Sequence, residues 1–240
     1  MPFNPPPASI RQLDGVPFDI AVDFAVEAKR LFDNADHRPG NLDPSKCKAL
    51  LRFPGGTSFR GAAFWSAKMA IDADGPAAGP GRRNGKQLDP GAGLPDTTLQ
   101  VAGGGGLPAE IVPYIVLPQA APRSRRTFDP AVAIGDVAVV IFKDKITAAV
   151  CGDLGPFNKI GEASIRVHEA LQQSGCPDPC SQRDARGFCL RTRNSSVEQD
   201  VLYFVFPGSA FPQTELTLPT INTKVAERAF TLYNKLRGAS

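Results

Sequence analysis

The sequence predicts a mainly β domain, a closed or nearly closed six-stranded barrel with a few packed helices. Three observations lead there. Gly and Pro contribute 23 residues each to a chain of 240, too many breakers for a helical bundle, and no Gly-X-Y period accompanies them. Apolar residues make up 42% of the chain, enough to build a sizeable core and too many for wholesale disorder. They also fall in short runs rich in Val, Ile, Phe and Tyr, set apart by turn residues, which is the pattern of strands.

Taken in order, residues 1–15 are Pro-rich and read as an extended arm, with one catalytic domain expected over residues 16–240. Residues 16–34 carry Phe18, Val22, Val26, Leu31 and Phe32 at helical spacing, which predicts an amphipathic helix. Strands are expected at 63–72 (AFWSAKMAID), 110–118 (EIVPYIVLP), 132–142 (VAIGDVAVVIF), 146–153 (ITAAVCGD) and 201–208 (VLYFVFPG). Lys143-Asp144-Lys145 makes a hairpin turn between two of them. The Gly/Pro stretch between Asp74 and Pro108 is long for an unstructured loop in a compact domain, and such loops are often functional.

Two further helices are expected. Residues 161–173 place Ile165, Val167 or His168, and Leu171 on one face, with Glu162 in the first turn and Gly175 past the end. Near the C-terminus Asn222 caps a helix whose stripe is Val225, Ala229, Leu232 and Leu236, and Gly238 follows it.

Composition excludes several functions. Lys and Arg number 27 against 24 Asp and Glu, a net charge of +3, so the chain is not built as a basic nucleic-acid binder. No apolar run approaches the ~18 residues of a membrane-spanning helix, so no membrane partner is expected. The first ten residues, MPFNPPPASI, lack the basic and apolar regions of a secretory leader.

Five cysteines at uneven spacing allow one or two disulfides or none. His168, Cys176, Cys180 and Cys189 have the types for a zinc tetrahedron at no standard spacing, and a disulfide among the three cysteines is the competing and preferred reading. No metal or other cofactor is expected.

The most informative segment is residues 151–165, CGDLGPFNKIGEASI. An apolar strand delivers Asp153 to its end, a Gly/Pro loop follows, and Glu162 stands on the far bank. Two carboxyl groups facing one cleft are what glycoside hydrolysis needs, one to protonate the leaving oxygen and one to activate water. Structural roles fit the same residues: Asp153 as a turn cap and Glu162 as a complement to a helix dipole. A second acidic pair, Asp72 and Asp74 in KMAIDADG, begins like a calcium loop but lacks the rest of that spacing and its bidentate Glu.

These blocks occur in a fixed order: KMAIDADG (68–75), DTT (96–98), VPYIVLP (112–118), GDVAVV (135–140), Gly152-Asp153 with IGEAS (160–164), and FVFPGS (204–209). That order resembles the fungal-type chitosanases of glycoside hydrolase family 75 over about residues 62–208. The resemblance implies endo-hydrolysis of β-1,4-linked glucosamine polymers with inversion, by a catalytic pair falling on Asp153 and Glu162. It also implies a polysaccharide partner such as chitosan, a substrate that favours an extracellular place of work while the location itself stays open; a monomer is expected. The Gly135-Asp136 turn adds a similarity to double-psi barrels.

Within that reading Glu162, beside Ile160 and Ile165, is assigned general acid and Asp153 base, with the reverse order open. Inversion requires the carboxyl groups ~6.5–9.5 Å apart. Glucosamine carries ammonium groups, so a chain of net charge +3 must gather acids locally, and Asp72 and Asp74 are expected in the same groove. Lys68 and Thr98 complete the expected substrate-binding set. A peptidoglycan-directed hydrolase and a non-catalytic glycan-binding module are the alternatives.

Overall fold

The computed structural model describes residues 49–53, 60–78, 93–129, 131–157, 159–172, 175–193 and 196–236. The expected N-terminal arm, the helix at 16–34, residues 79–92 of the Gly/Pro stretch and Gly238 lie outside the described residues.

Six strands close into a barrel: β2 (Ala62–Asp72), β3 (Tyr114–Pro118), β4 (Val137–Phe142), β5 (Lys145–Gly155), β6 (Glu162–Ser164) and β9 (Ser196–Val205). Their order is β2-β6-β3-β5-β4-β9, and β9 returns to pair with β2. β1 (Ala49–Phe53) pairs antiparallel with the first half of β2, outside the ring. β2–β6 and β3–β5 are parallel, and the remaining barrel pairs are antiparallel. Helix α1 (Ile165–Leu171) follows β6 directly, and helix α2 (Ile221–Leu236) ends the described chain.

All five expected strands form, with shifted ends. The segment expected from Glu110 becomes a strand only at Tyr114, because Ile111 and Val112 donate their N–H groups to Pro108 in a turn and Pro113 has none to donate. The segment expected from Val132 starts at Val137, because Asp136 turns back to accept from Ala133 N. The Lys143-Asp144 turn joins β4 to β5, with Phe142 opposite Lys145 and Lys143 at φ 54°.

Side chains alternate between two layers. Ala148, Val150, Val137, Val139 and Phe204 form one cluster with Ile221, Val225, Ala229 and Tyr233 of α2, so that layer is the outer face of the barrel. The other cluster draws on every barrel strand, with Trp65, Ala163, Ile115, Cys151, Val140 and Tyr203, and fills the interior. Trp65 stacks on Tyr203 at 5.6 Å between ring centres and meets Phe128 edge-on at 5.7 Å. Such ring pairs add about 0.5–1.5 kcal/mol each beyond the area they bury.

In α2 the expected stripe holds at Val225, Ala229 and Leu236, while Tyr233 is buried and Leu232 only half-buried. Tyr233 packs edge-on against Phe204 at 5.4 Å. Asn222 does not cap this helix. It lies inside the first turn, and its Nδ2 donates to Ile111 O at 2.9 Å, tying the helix to the turn before β3.

The cysteine question resolves toward the disulfide. Cys180 and Cys189 are bonded across a separate two-stranded hairpin, β7 (Cys180–Arg183) and β8 (Cys189–Thr192). The four-ligand zinc set therefore does not assemble. Cys176 remains a thiol, buried 3.5 Å from His168 Nδ1, while His168 Nε2 lies 3.2 Å from Ala70 O. Burial holds the His168 imidazole down to about 4, so it is neutral near pH 7.

Gly161 fixes the join between β2 and β6. Its φ is +78°, and a Cβ there would lie 2.1 Å from the Lys68 carbonyl oxygen, part of the backbone. Gly187 has a similar φ of +87° with nothing near its Cβ position. Gly187→Ala should therefore cost only the left-handed penalty, about 1–2 kcal/mol. Gly161→Ala should cost about 2 kcal/mol more, because β2 or β6 must shift. Urea unfolding midpoints of the two variants check this, and equal losses would count against a forced contact at Gly161.

Candidate active site

Asp153 reaches its place through a bulge. Ile115 pairs with Cys151 but Val116 pairs with Asp153, so Gly152 is an extra residue on β5. Without it Asp153 would share the inward face of Cys151. With it, Asp153 joins the outer face that carries Tyr114 and Val116. The segment at 96–107 roofs this position, with Leu99 N bonded to Gly152 O at 2.8 Å.

Three donors converge on one oxygen of Asp153. Oδ1 accepts from Thr98 N at 2.9 Å, Thr98 Oγ1 at 2.5 Å and Leu154 N at 2.8 Å. Thr98 thus holds Asp153 with both its backbone and its hydroxyl. Thr97 next to it ties the roof together, accepting from Leu107 N and donating to Leu99 O.

Asp72 is the last residue of β2 and lies opposite Ser164 of β6. Its Oδ1 accepts from Asp74 N at 2.7 Å, which turns the chain and brings Asp74 back toward it. Asp74 Oδ1 in turn accepts from Leu94 N at 2.6 Å, and Tyr114 Oη donates to Asp74 O at 3.0 Å. Oxygens of Asp72, Asp74 and Asp153 all lie within 4.8 Å of one another. Such a trio has the donor type a hard cation takes. Asp153 Oδ1 and Asp72 Oδ1 are, however, already committed to protein N–H and O–H groups.

Glu162 is the first residue of β6, opposite Ala70 on β2. It does not stand in a helical turn as its sequence context suggests. Ser164 caps α1, accepting from Val167 N and Tyr114 N, so the helix begins only at Ile165. Glu162 Oε2 lies 3.5 Å from the position of a Cβ on Gly155, and Oε1 is bonded to Lys159 Nζ at 2.5 Å.

The electrostatics join the four carboxyl groups into one cluster. Asp72 is held well above the usual carboxylate range, first by burial and then by the charges of Asp74, Glu162 and Asp153. Asp74 is pushed up to about 6, by burial first and then by Asp153 and Glu162, with the Leu94 N–H opposing. Asp72, Asp74 and Asp153 thus lie together, with Glu162 near enough to act on Asp72 and Asp74.

Of the remaining expected site residues, Lys68 is half-buried in β2 and its carbonyl accepts from Tyr203 Oη. Sequence reasoning passed over Lys159 and Leu94. Lys159 had a signal, standing three residues before Glu162 on the same loop. Leu94 had none, yet it is 65% exposed beside Asp74, an unusual place for so large an apolar side chain.

A raised carboxyl has a consequence for stability. Asp74 binds its proton more tightly folded than unfolded, so its contribution is complete below about 3.8 and is lost as pH rises through about 6. Asp74→Asn carries no such loss. Its Tm should therefore gain on the unsubstituted protein as pH rises from 4 to 6.5, read by calorimetry at fixed salt. A constant difference across that range would mean Asp74 is not held as described.

A search of curated proteins finds no match to the chain. The family model described as fungal chitosanase of glycosyl hydrolase group 75 matches residues 69–227, well over half of the 240. That span begins inside β2, ends inside α2 and contains every member of the carboxyl cluster. The chain belongs to this family of chitosanase-type glycoside hydrolases.

Proposed function

We propose that this protein is an endo-acting chitosanase that hydrolyses β-1,4 bonds of glucosamine polymers with inversion, Glu162 serving as general acid and Asp153 as base. The observation that carries the proposal is the gathering of Asp72, Asp74, Asp153 and Glu162 in one place on a chain of net charge +3. A polycation approaching a slightly basic protein is attracted where acids are concentrated, and there only.

The division of labour follows from the hydrogen bonds. Asp153 Oδ1 accepts from three donors, which fixes the carboxylate beside Asp74, and Oδ2 is the oxygen assigned to the attacking water. Glu162 lies across from it on β6 and delivers a proton to the glycosidic oxygen as the bond to C1 breaks. Water attacks C1 from the opposite face and gives its proton to Asp153.

Spacing supports inversion. Asp153 and Gly155 are two residues apart on β5, ~6.7 Å along a strand. Glu162 Oε2 stands 3.5 Å from the position of a Cβ on Gly155. An inverting pair needs room for water between its carboxyl groups, whereas retention asks for ~5 Å.

Thr98 acts in this scheme as a positioning residue for Asp153 rather than as a direct contact to sugar. Asp72 and Asp74 take the ammonium groups of neighbouring glucosamine units. Lys68 is assigned to substrate hydroxyls at the edge of the groove.

Reducing-end release from chitosan tests the assignment. Asp153→Asn and Glu162→Gln should each lower kcat by about 10²–10⁴ while leaving Tm nearly unchanged. Asp72→Asn should raise KM more than it lowers kcat, because it removes attraction common to ground and transition states. Full activity in either catalytic variant would refute the pair. Chitosan binding with no hydrolysis by the unsubstituted protein would make it a glycan-binding module, and cleavage of cell wall alone would redirect it to peptidoglycan.

A further inference from the structure

Among the described residues Lys159 is the cation that touches the carboxyl cluster. Its Nζ lies 2.5 Å from Glu162 Oε1, with the two side chains 23% and 12% exposed. Among the described residues no salt bridge reaches Asp72, Asp74 or Asp153, although these three crowd within 4.8 Å of one another. The one ion pair of the cluster therefore falls on the residue assigned as acid. An acid must hold a proton to give one to the leaving oxygen, and an ammonium bonded to its carboxylate opposes that.

Lys159 sits where it can leave. It belongs to the loop between β5 and β6, outside any strand, and its backbone N–H is bonded to Pro156 O at 3.1 Å within that loop. Its side chain is a flexible four-carbon stem ending in a point charge. Moving the ammonium breaks no pairing of the barrel.

We propose that Lys159 is an electrostatic latch on Glu162, released by a substrate that carries its own ammonium groups. In the empty site Lys159 stays bonded to Glu162. A glucosamine unit drawn in by Asp72, Asp74 and Asp153 brings a second ammonium close to the first, and the two repel in a place partly shielded from water. Lys159 swings out to solvent. Glu162, left among three other carboxyl groups, takes one proton from solvent. It passes that proton to the glycosidic oxygen as the C1–O bond breaks, water adds to C1, and Asp153 accepts the water's proton and later returns it to solvent. A neutral or N-acetylated unit exerts no such push and leaves the acid unloaded. The latch thus selects amino sugars at the chemical step, beyond the attraction that binds them. It rests on the assignment of Glu162 as acid.

The test compares kcat/KM on a fully deacetylated glucosamine hexamer with that on a half-acetylated one. Lys159→Met should lower this preference by about tenfold or more, chiefly by raising turnover of the acetylated hexamer, while Lys159→Arg keeps it. A second measurement does not depend on altering Lys159. In crystals of Asp153→Asn, glucosamine hexamer should draw the Lys159 ammonium off Glu162, and the fully acetylated hexamer should leave it in place. An unchanged preference in Lys159→Met, or a Lys159–Glu162 contact that persists beneath bound glucosamine, would overturn the latch. Glu162→Gln is run alongside: full activity there removes the acid itself, a failure distinct from that of the latch alone.

Discussion

Like charges do not gather unaided. Asp72, Asp74 and Asp153 bring oxygens within 4.8 Å of one another, Glu162 is near enough for its charge to act on Asp72 and Asp74, and such groups repel and lose solvation together. Left on flexible chain they would separate. Each is instead fixed to an element that cannot move away: Asp72 to the end of β2, Asp153 to a bulge in β5, Glu162 to the start of β6, and Asp74 to a turn locked by Asp72 and Leu94. The closed barrel is what makes those anchors rigid relative to one another. β2 pairs with β6, β6 with β3 and β3 with β5, so the acids are linked through continuous backbone ladders.

The repulsion is relieved by different means at each position, and the differences define the chemistry. Asp153 accepts three hydrogen bonds on one oxygen, two of them from Thr98. Glu162 has an ammonium from Lys159. Asp74, with one N–H donor, moves toward its neutral form instead, as does Asp72 beneath it. In the proposed scheme this cluster supplies a fixed carboxylate to accept a proton, an acid whose counter-ion can be exchanged, and two carboxyl groups that respond to an arriving positive charge. A barrel carrying +3 overall still presents one locally acidic place.

Much of this was legible in the sequence, and the boundary of legibility is physical. The long barrel strands announce themselves because five to eleven residues of Val, Ile, Phe and Ala must face two apolar layers. α2 is legible because Val225, Ala229 and Leu236 recur at helical spacing. Asp153 and Glu162 stand out in the sequence by the two banks of their Gly/Pro loop and by the order of short blocks, and Asp72 and Asp74 by their D-x-D-G block.

What escaped is whatever depends on a partner distant in the chain. β6 has three residues, too few for any period, and exists because Ala70–Asp72 lies beside it. Glu162 therefore looked helical when it is extended. The Gly152 bulge is visible only against the register of β3, yet it decides which face Asp153 occupies. Thr98 lies 55 residues from Asp153, and no local pattern marks it as that residue's clamp.

The central claim is that Asp153 and Glu162 act as an inverting acid–base pair. Proton NMR of the reducing end formed in the first minutes of glucosamine-hexamer cleavage, before mutarotation, tests it most directly. The account predicts that the α anomer appears first and the β anomer grows in later. A β anomer appearing first would mean retention and would contradict the geometry assigned to Asp153 and Glu162.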